Sequence, residues 1–251
     1  MRLAVLSDIH ANREALDAVI DTGRAHGVDA WLCLGDIVGY GADPQACLHQ
    51  VQELTDAVIL GNHDAAAVGL QDLAYFNPYA RRAAEWTAKQ LDDAERQYLA
   101  DLPLVLERDE ALFVHAEPRR PAEWGYVLDL ADAQTALMAI AQRFCFVGHS
   151  HTPFLCAVPE MGASRSDAAP RAGEVELVAA GPIRPDSRYL ANVGSVGQPR
   201  DGDPRACFAL WDQTADTLEL MRCPYDIATA QNKIIAAGLP PFLAERLAQG
   251  Q

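Results

Sequence analysis

Two rhythms of apolar and polar positions alternate along this chain. "RLAVLSD" is a short apolar run that predicts a strand. "NREALDAVIDTGRAH" follows with Leu16, Val19 and Ile20 at helical spacing, and "HG" closes it. Strand-like "AWLCLGD", helical "DPQACLHQVQEL" and strand-like "DAVILGNHD" continue the alternation. That βαβαβ order predicts a parallel sheet with right-handed crossovers. Residues 75–100 read as two helices hinged near residues 91–93. "LVLERDEALFVHAEP" predicts a hairpin turning at residues 108–110, and "LADAQTALMAIAQ" a helix that feeds the strand "FCFVGHS".

The pattern then changes. "PFLCAVP", "EVELVAA", "SRYLANVGSVG", "RACFALWD" and "TLELMRCP" are short runs parted by turn residues, which predicts a second, largely antiparallel sheet. Residues 161–173, "MGASRSDAAPRAG", are small and polar and predict a mobile loop inside a hairpin. Residues 226–251 read as two C-terminal helices split at residues 238–241. No linker-like stretch intervenes, so residues 1–251 are expected to form one α/β domain of two sheets flanked by helices.

Composition narrows the partners. Half of the 251 residues are hydrophobic, enough for a substantial core. The formal charge of −15 repels long nucleic acid and anionic membrane surfaces. Six cysteines without a Cys-x-x-Cys pair, several inside apolar runs, read as buried thiols in a reducing compartment. The apolar run of "MRLAVLSDIH" is too short for a signal segment, and no stretch approaches the ~20 residues of a membrane span. A soluble, cytoplasmic protein is expected.

Strand-like runs end alike, in side chains able to hold a metal. They end in "SDIH" with Asp8 and His10, "GD" with Asp36, and "GNHD" with Asn62, His63 and Asp64. Later ones end in "VHAEP" with His115 and "GHSH" with His149 and His151. Ligands bind open α/β sheets at the carboxyl ends of strands, so these ends are expected to converge. Five of the seven histidines lie there, and His26 and His49 fall on helix faces. Imidazole, carboxylate and amide oxygen together suit borderline transition metals rather than calcium or magnesium. A carboxylate can bridge two cations, the usual clamp for hydrolysing a phosphate ester.

In this order the motifs "DIH", "GD", "GNHD", "VH" and "GHSH" closely resemble those of the calcineurin-like metallophosphoesterases, over roughly residues 1–202. "GDIVGYGADP", "FNPYARRAAEWT" and "NVGSVGQPRDGDPRA" are most similar to a small bacterial phosphodiesterase-like branch. The resemblance implies a four-layer αββα sandwich of two mixed sheets. It implies two divalent or trivalent metal ions, manganese first, with iron, zinc, nickel or cobalt as alternatives. One ion would take Asp8, His10, Asp36 and His151; the other would take Asp36, Asn62, His115 and His149, with Asp36 as the bridge. Gly148 would let the backbone pass close to the metals. A hydroxide between the metals would be the nucleophile, and His63 would stabilise developing charge or protonate the leaving oxygen.

Several readings stay open. Asp64 is placed to cap the helix that follows, or to support the site. Ser7 and Ser150 could donate to the ligands or simply pack. "GDIVGYG" lacks the Asp and Arg that protein Ser/Thr phosphatases carry after the bridging aspartate, which disfavours that activity. Glu117 either repels dianionic monoesters or points outward. Arg13 and Arg200 are candidate substrate cations, Asn62 a candidate substrate contact, and residues 192–197 could bring backbone amides near the site. The helices of residues 75–100 are a candidate pocket wall, in which Tyr75, Phe76 and Trp86 either stack a nucleobase or form a core stripe. The expected activity is phosphodiester hydrolysis on a small, nucleotide-like phosphoester. The alternatives are a broad phosphomonoesterase and a non-catalytic scaffold on the same fold.

Overall fold

The computed structural model describes residues 1–159 and 175–251. The expected loop at residues 161–173 lies outside them. The first strand, β1 (Arg2–Leu6), is followed by α1 (Arg13–Ala25), and β2 (Ala30–Cys33) lies parallel to β1. The side chain of Asn12 caps α1 by accepting from the Ala15 N–H at 3.2 Å. After α2 (Pro44–Leu54), "DAVIL" does not make the expected third strand. It touches the sheet only through the Cys33–Val58 bridge, and Leu60 N–H then bonds Pro103 O at 2.8 Å. The chain passes directly into α3 (Asn62–Ala67).

Next come α4 (Pro78–Gln90) and α5 (Asp93–Ala100), parted where expected. Asn77 caps α4 with Pro78 at its first position, and Asp92 and Glu95 form a reciprocal capping box on α5. Residues 73–75 form a separate short 3₁₀ turn ahead of α4. The hairpin β3 (Val105–Arg108) and β4 (Ala111–Val114), then α6 (Leu130–Ala139) and β5 (Phe144–Val147), complete the first half. The second half holds β6 (Phe154–Pro159), β7 (Glu176–Leu177), β8 (Gly181–Pro182), β9 (Ser187–Asn192), β10 (Ala206–Asp212) and β11 (Thr217–Cys223). It closes with α7 (Ile227–Ala236) and α8 (Pro241–Glu245).

Both sheets are mixed, and each draws on both halves of the chain. One runs β2-β1-β10-β11-β8, the other β3-β4-β5-β9-β6-β7. The later strands therefore do not form a sheet of their own. β10 pairs antiparallel with β1, while β9 lies parallel to β5. Local patterning fixes which residues are strands but not which distant strand they meet.

Alternate residues of β1 serve different layers. Ala4 and Leu6 pack with Leu16 and Val19 of α1, whereas Leu3 and Val5 face the other sheet among Phe113, Phe144, Phe146 and Trp211. A strand covered on both faces reads as a continuous apolar run. Each ring buried between the sheets contributes about 1.5–3 kcal/mol of burial. α6 covers the outer face of the second sheet over Leu112, Val114, Cys145 and Val147. The layers are thus helices, sheet, sheet, helix. α7 and α8 pack with Ala80 and Ala83 of α4 and with Tyr40, and Trp86 belongs to this packing, which brings the C-terminal helices to the rim of the strand ends. All six cysteines are buried and free, and burial pushes their thiols up, so they stay protonated and inert. Among the described residues no helix is long and apolar enough to cross a membrane.

Candidate metal centre

The strand-end turns are built from unusual backbone. Asp8, His10, Asp36, His149 and His151 all have positive φ, between 51° and 64°. A non-glycine residue in this region costs about 1–3 kcal/mol, and such residues cluster at functional sites. Neighbouring segments over-determine the conformation. Asp8 N–H donates to Gly35 O at 3.0 Å and His10 N–H to Asp36 O at 2.9 Å. Val196 and Gly197 N–H donate to the carbonyls of Ser7 and Asp8, both at 2.9 Å. These amides of the 192–197 segment are therefore spent on clamping the turn after β1. Asn192 holds the "GHSH" turn, donating to Gly148 O at 3.1 Å and Ser150 Oγ at 2.8 Å.

Gly148 admits no side chain. A Cβ there would lie 2.0 Å from Ser7 Oγ and 2.7 Å from Asp8 Oδ2. Gly148→Ala is expected to destabilise the protein by about 1–3 kcal/mol through overpacking and to displace Asp8. Thermal denaturation and metal content of the purified variant check both effects.

The histidines present lone pairs to one another. A carbonyl can only accept, so the ring nitrogen facing it must carry the proton. His10 Nδ1 faces Val38 O at 3.2 Å, His151 Nδ1 faces Gln198 O at 2.6 Å and His115 Nδ1 faces Leu34 O at 2.9 Å. Each of these rings therefore turns its Nε2 inward. His149 is the reverse: Nε2 donates to Trp124 O at 3.0 Å and leaves Nδ1 as the acceptor. Backbone carbonyls commonly fix metal-ligating histidines this way.

The carboxylates show the same division. Asp8 Oδ2 accepts from His149 N–H at 3.0 Å, and Asp36 Oδ1 accepts from His63 N–H at 2.7 Å. Their other oxygens, Asp8 Oδ1 and Asp36 Oδ2, are buried without a hydrogen-bond partner among the described residues. The two Nε2 atoms of His10 and His151 stand 3.1 Å apart, with Asp8 Oδ1 at 3.7 Å from the first and 3.1 Å from the second. Asp36 Oδ2 lies 3.7 Å from His10 Nε2 and 3.5 Å from His115 Nε2, which itself sits 3.2 Å from Asn62 Oδ1. Buried lone pairs at these distances repel one another unless a cation lies among them. Asp8, His10 and His151 form one group able to hold a metal ion, and Asp36, His115 and His149 another; each group's ligand atoms lie within 4.8 Å of one another. A third group, His10, Asp36 and His63, overlaps both. Two adjacent, overlapping clusters of nitrogen and oxygen donors fit a dinuclear centre of borderline transition metals.

Charge follows the same logic. Burial pushes Asp8 and Asp36 towards neutrality, but the surrounding histidines, His151 for Asp8 and His115 for Asp36, hold both carboxylates below their usual range. Burial lowers His10 and His151, and takes His149 down to about 3. Burial opposes the charge on His115 too, yet Asp36 and Asp8 raise that ring to about 9. Most of the cluster is already in the protonation state that a metal requires.

Around this core, the open questions resolve residue by residue. Asp64 lies in the first turn of α3, where its carboxylate reaches back to Gly61 N–H at 3.2 Å and also holds Val38 N–H at 3.0 Å. It caps the helix and pins the turn beside Asp36; burial and Asp36 push its carboxyl up to about 7. Ser150 serves as acceptor for Asn192, whereas Ser7 Oγ packs against Gly148 with no hydrogen-bond partner among the described residues. Glu117 turns its carboxylate to Arg119 Nε at 2.6 Å and anchors Gly125 through its N–H, so it presents no bare charge to a substrate. Arg13 pairs with Asp17 at 3.6 Å on an exposed stretch of α1, and does not line the cavity described below. Arg200 lies beside the centre: its N–H donates to His151 O at 3.1 Å and its guanidinium to Gln198 Oε1 at 3.0 Å. The Arg200 Nε is buried without a hydrogen-bond partner among the described residues. His26 and His49 lie apart, the first on Thr22 O and the second 2.9 Å from Glu95.

A cavity of about 570 Å³ opens over the centre, with Asn62, His63 and His149 in its lining. Tyr75, Phe76 and Asn77 from one segment and Trp124 and Tyr126 from another also line it. Sequence reasoning missed Trp124 and Tyr126, and also Asn192 and Gln198 as supports of the ligand turns. Two aromatics in the Gly-containing "EWGYV", soon after "VHAEP", were the available signal.

Fold and centre together define a calcineurin-like phosphoesterase. The family model of the calcineurin-like phosphoesterase superfamily domain matches residues 1–216, and the chain belongs to that family. It is 37% identical over 254 residues to the uncharacterized protein MJ0912 of Methanocaldococcus jannaschii, covering 99% of this chain and 98% of that protein. The crystal structure of a metallophosphoesterase from Sphaerobacter thermophilus superposes with a TM-score of 0.83 at 38% identity, covering 100% of this chain and 99% of that one. The hypothetical protein PH1004 from Pyrococcus horikoshii OT3 shares the fold, with a TM-score of 0.77 at 20% identity over 100% of this chain and 98% of its own. The metal-ligand clusters on this fold are those of a metal-dependent phosphoesterase.

Proposed function

We propose that this protein hydrolyses a phosphodiester on a small, nucleotide-like substrate at a dinuclear centre. Asp8, His10, Asp36 and His151 would hold one ion, and Asp36, Asn62, His115 and His149 the other. The observation that carries this assignment is the pair of buried carboxylate oxygens, Asp8 Oδ1 and Asp36 Oδ2, facing the inward ring nitrogens of His151 and His115. Bound there, two such ions would neutralise the phosphoryl oxygens and acidify the water that attacks phosphorus.

The chain's own groups supply the rest. His63 is held by its N–H to Asp36 and lines the cavity. Burial, with Arg200 and other histidines nearby, lowers its ring to about 4, so near pH 7 it is a neutral imidazole with one N–H to donate. That N–H is suited to a phosphoryl or leaving-group oxygen as charge develops. Arg200, 5.9 Å from the centre of the Tyr40 ring, supplies a positive charge beside His63. A diester is favoured by the roughly 570 Å³ of space, which leaves room for substituents around phosphorus. The neutralised Glu117 gives no reason for monoesters to be refused, so a broad phosphomonoesterase is the second reading.

Manganese-loaded protein is expected to hydrolyse bis(p-nitrophenyl) phosphate at a higher kcat/KM than p-nitrophenyl phosphate. Chelation should lower turnover at least about 100-fold, and added Mn²⁺ should restore it. A reversed ester preference would select the monoesterase. Full turnover by thoroughly demetallated protein would remove the metal mechanism.

A further inference from the structure

Aromatic side chains from two separate segments line the cavity over the centre, and the phosphoryl chemistry uses none of them. Tyr75 ends a 3₁₀ turn and is 82% exposed, so no helical core stripe claims it. Phe76 beside it sets its ring against His63, with centroids 4.9 Å apart and planes at 78°. From the second segment, the Tyr126 ring stacks on His149 at 4.1 Å and 15°, and the side chain remains half exposed. The Trp124 indole donates to Gln71 Oε1 at 3.0 Å, a bond that ties the two segments together. Isolated exposed aromatics are ordinary, but several converging on one cavity beside a reaction centre mark a binding surface.

The polar groups on the walls say what kind of ring fits. The indole only donates, so Gln71 must present its oxygen there and keep its –NH₂ for another partner. Asn77 Oδ1 accepts from the N–H groups of Tyr79 and Ala80 at the start of α4, which likewise leaves its –NH₂ as donor. Both residues line the cavity. The walls therefore offer flat apolar faces and amide donors. A bare phenyl ring uses only the first; a nucleobase, with acceptor atoms around its edge, uses both. From the juxtaposition of Tyr75 and Phe76 with Trp124 and Tyr126, edged by Gln71 and Asn77, we infer that this cavity holds the nucleobase of a nucleotide ester whose phosphorus sits at the metal centre.

The inference rests on the hydrolase reading for the placement of phosphorus, and equilibrium binding separates the two. Calorimetry on the metal-loaded protein would compare adenosine 5′-monophosphate, phenyl phosphate and ribose 5-phosphate. Stacking a base on an aromatic side chain is worth roughly tenfold in affinity, so the adenosine nucleotide should bind at least about tenfold tighter than ribose 5-phosphate. Tyr75→Ala should collapse that ratio to about threefold or less, and Tyr75→Phe should keep it. Equal affinity for the two ligands would overturn the inference. So would a ratio unmoved in both Tyr75→Ala and Tyr126→Ala, or phenyl phosphate binding as tightly as the nucleotide. A protein that shows the ratio yet turns over no phosphoester upholds the base site and removes the hydrolase. Turnover without a ring preference does the opposite.

Discussion

Asp36→Asn is expected to strip the protein of its metals and lower phosphoesterase turnover more than about 10³-fold, or about 4 kcal/mol at the transition state. Its Oδ2 lies within reach of both His10 and His115, at 3.7 and 3.5 Å. Asparagine keeps the volume and an oxygen for His63 N–H, so the fold should survive while the negative charge between the clusters is lost. A second readout is independent of activity. In metal-free protein Asp36 is the leading carboxylate that lifts His115 to about 9 against burial. Removing that charge should lower the His115 titration in a histidine NMR experiment. The sign for metal uptake follows. Near pH 7 an incoming ion must displace a proton from His115, so wild-type affinity should climb as pH rises towards 9, and less steeply in the variant. Two retained metal equivalents with wild-type turnover in Asp36→Asn would remove the shared-ligand role.

His63→Ala is expected to lower kcat by about 10²–10⁴-fold while both metal equivalents stay bound. The two halves of that statement test different things. His63 also belongs to a third possible cluster with His10 and Asp36, and its Nδ1 is buried without a hydrogen-bond partner among the described residues. Loss of one metal equivalent by elemental analysis would make it a ligand. Loss of kcat alone would make it a donor to the reacting group. Because burial takes this ring to about 4, it is neutral over the neutral pH range, and its contribution to kcat should be flat between about pH 6 and 8. His63→Gln, which restores an N–H without a titrating group, should recover part of the loss.

Much of the molecule could be read from local sequence, for identifiable reasons. Leu16, Val19 and Ile20 recur at helical spacing because one face of α1 packs on the first sheet. The break between α4 and α5 was visible because "LDDAE" carries a helix-starting Asp with Glu three residues on, and the two side chains do cap each other. Asp8, His10, Asp36, His115, His149 and His151 stood out because polar, metal-capable residues cannot continue an apolar strand. The structure brings all six into adjacent clusters. Where reasoning fell short, the determining contact was distant. Val58 makes only a bridge because Leu60 is drawn away to Pro103. β10 keeps its sequence neighbour β11 on one side but takes β1, from the other end of the chain, on the other.

Sequence alone determined the identity and order of the donor groups, most of the strands that precede them, and the net negative charge, because each depends on residue type and short-range spacing. Tertiary structure decided which ring nitrogen faces inward, through carbonyls of Val38, Leu34, Gln198 and Trp124 that lie far along the chain from their histidines. It decided that one oxygen of Asp8 and one of Asp36 are satisfied and the others left bare. It also brought Trp124 and Tyr126 into the lining of the same cavity as Tyr75. A lone pair's direction is fixed by the group that holds the other end of the side chain, and only the folded chain supplies that group.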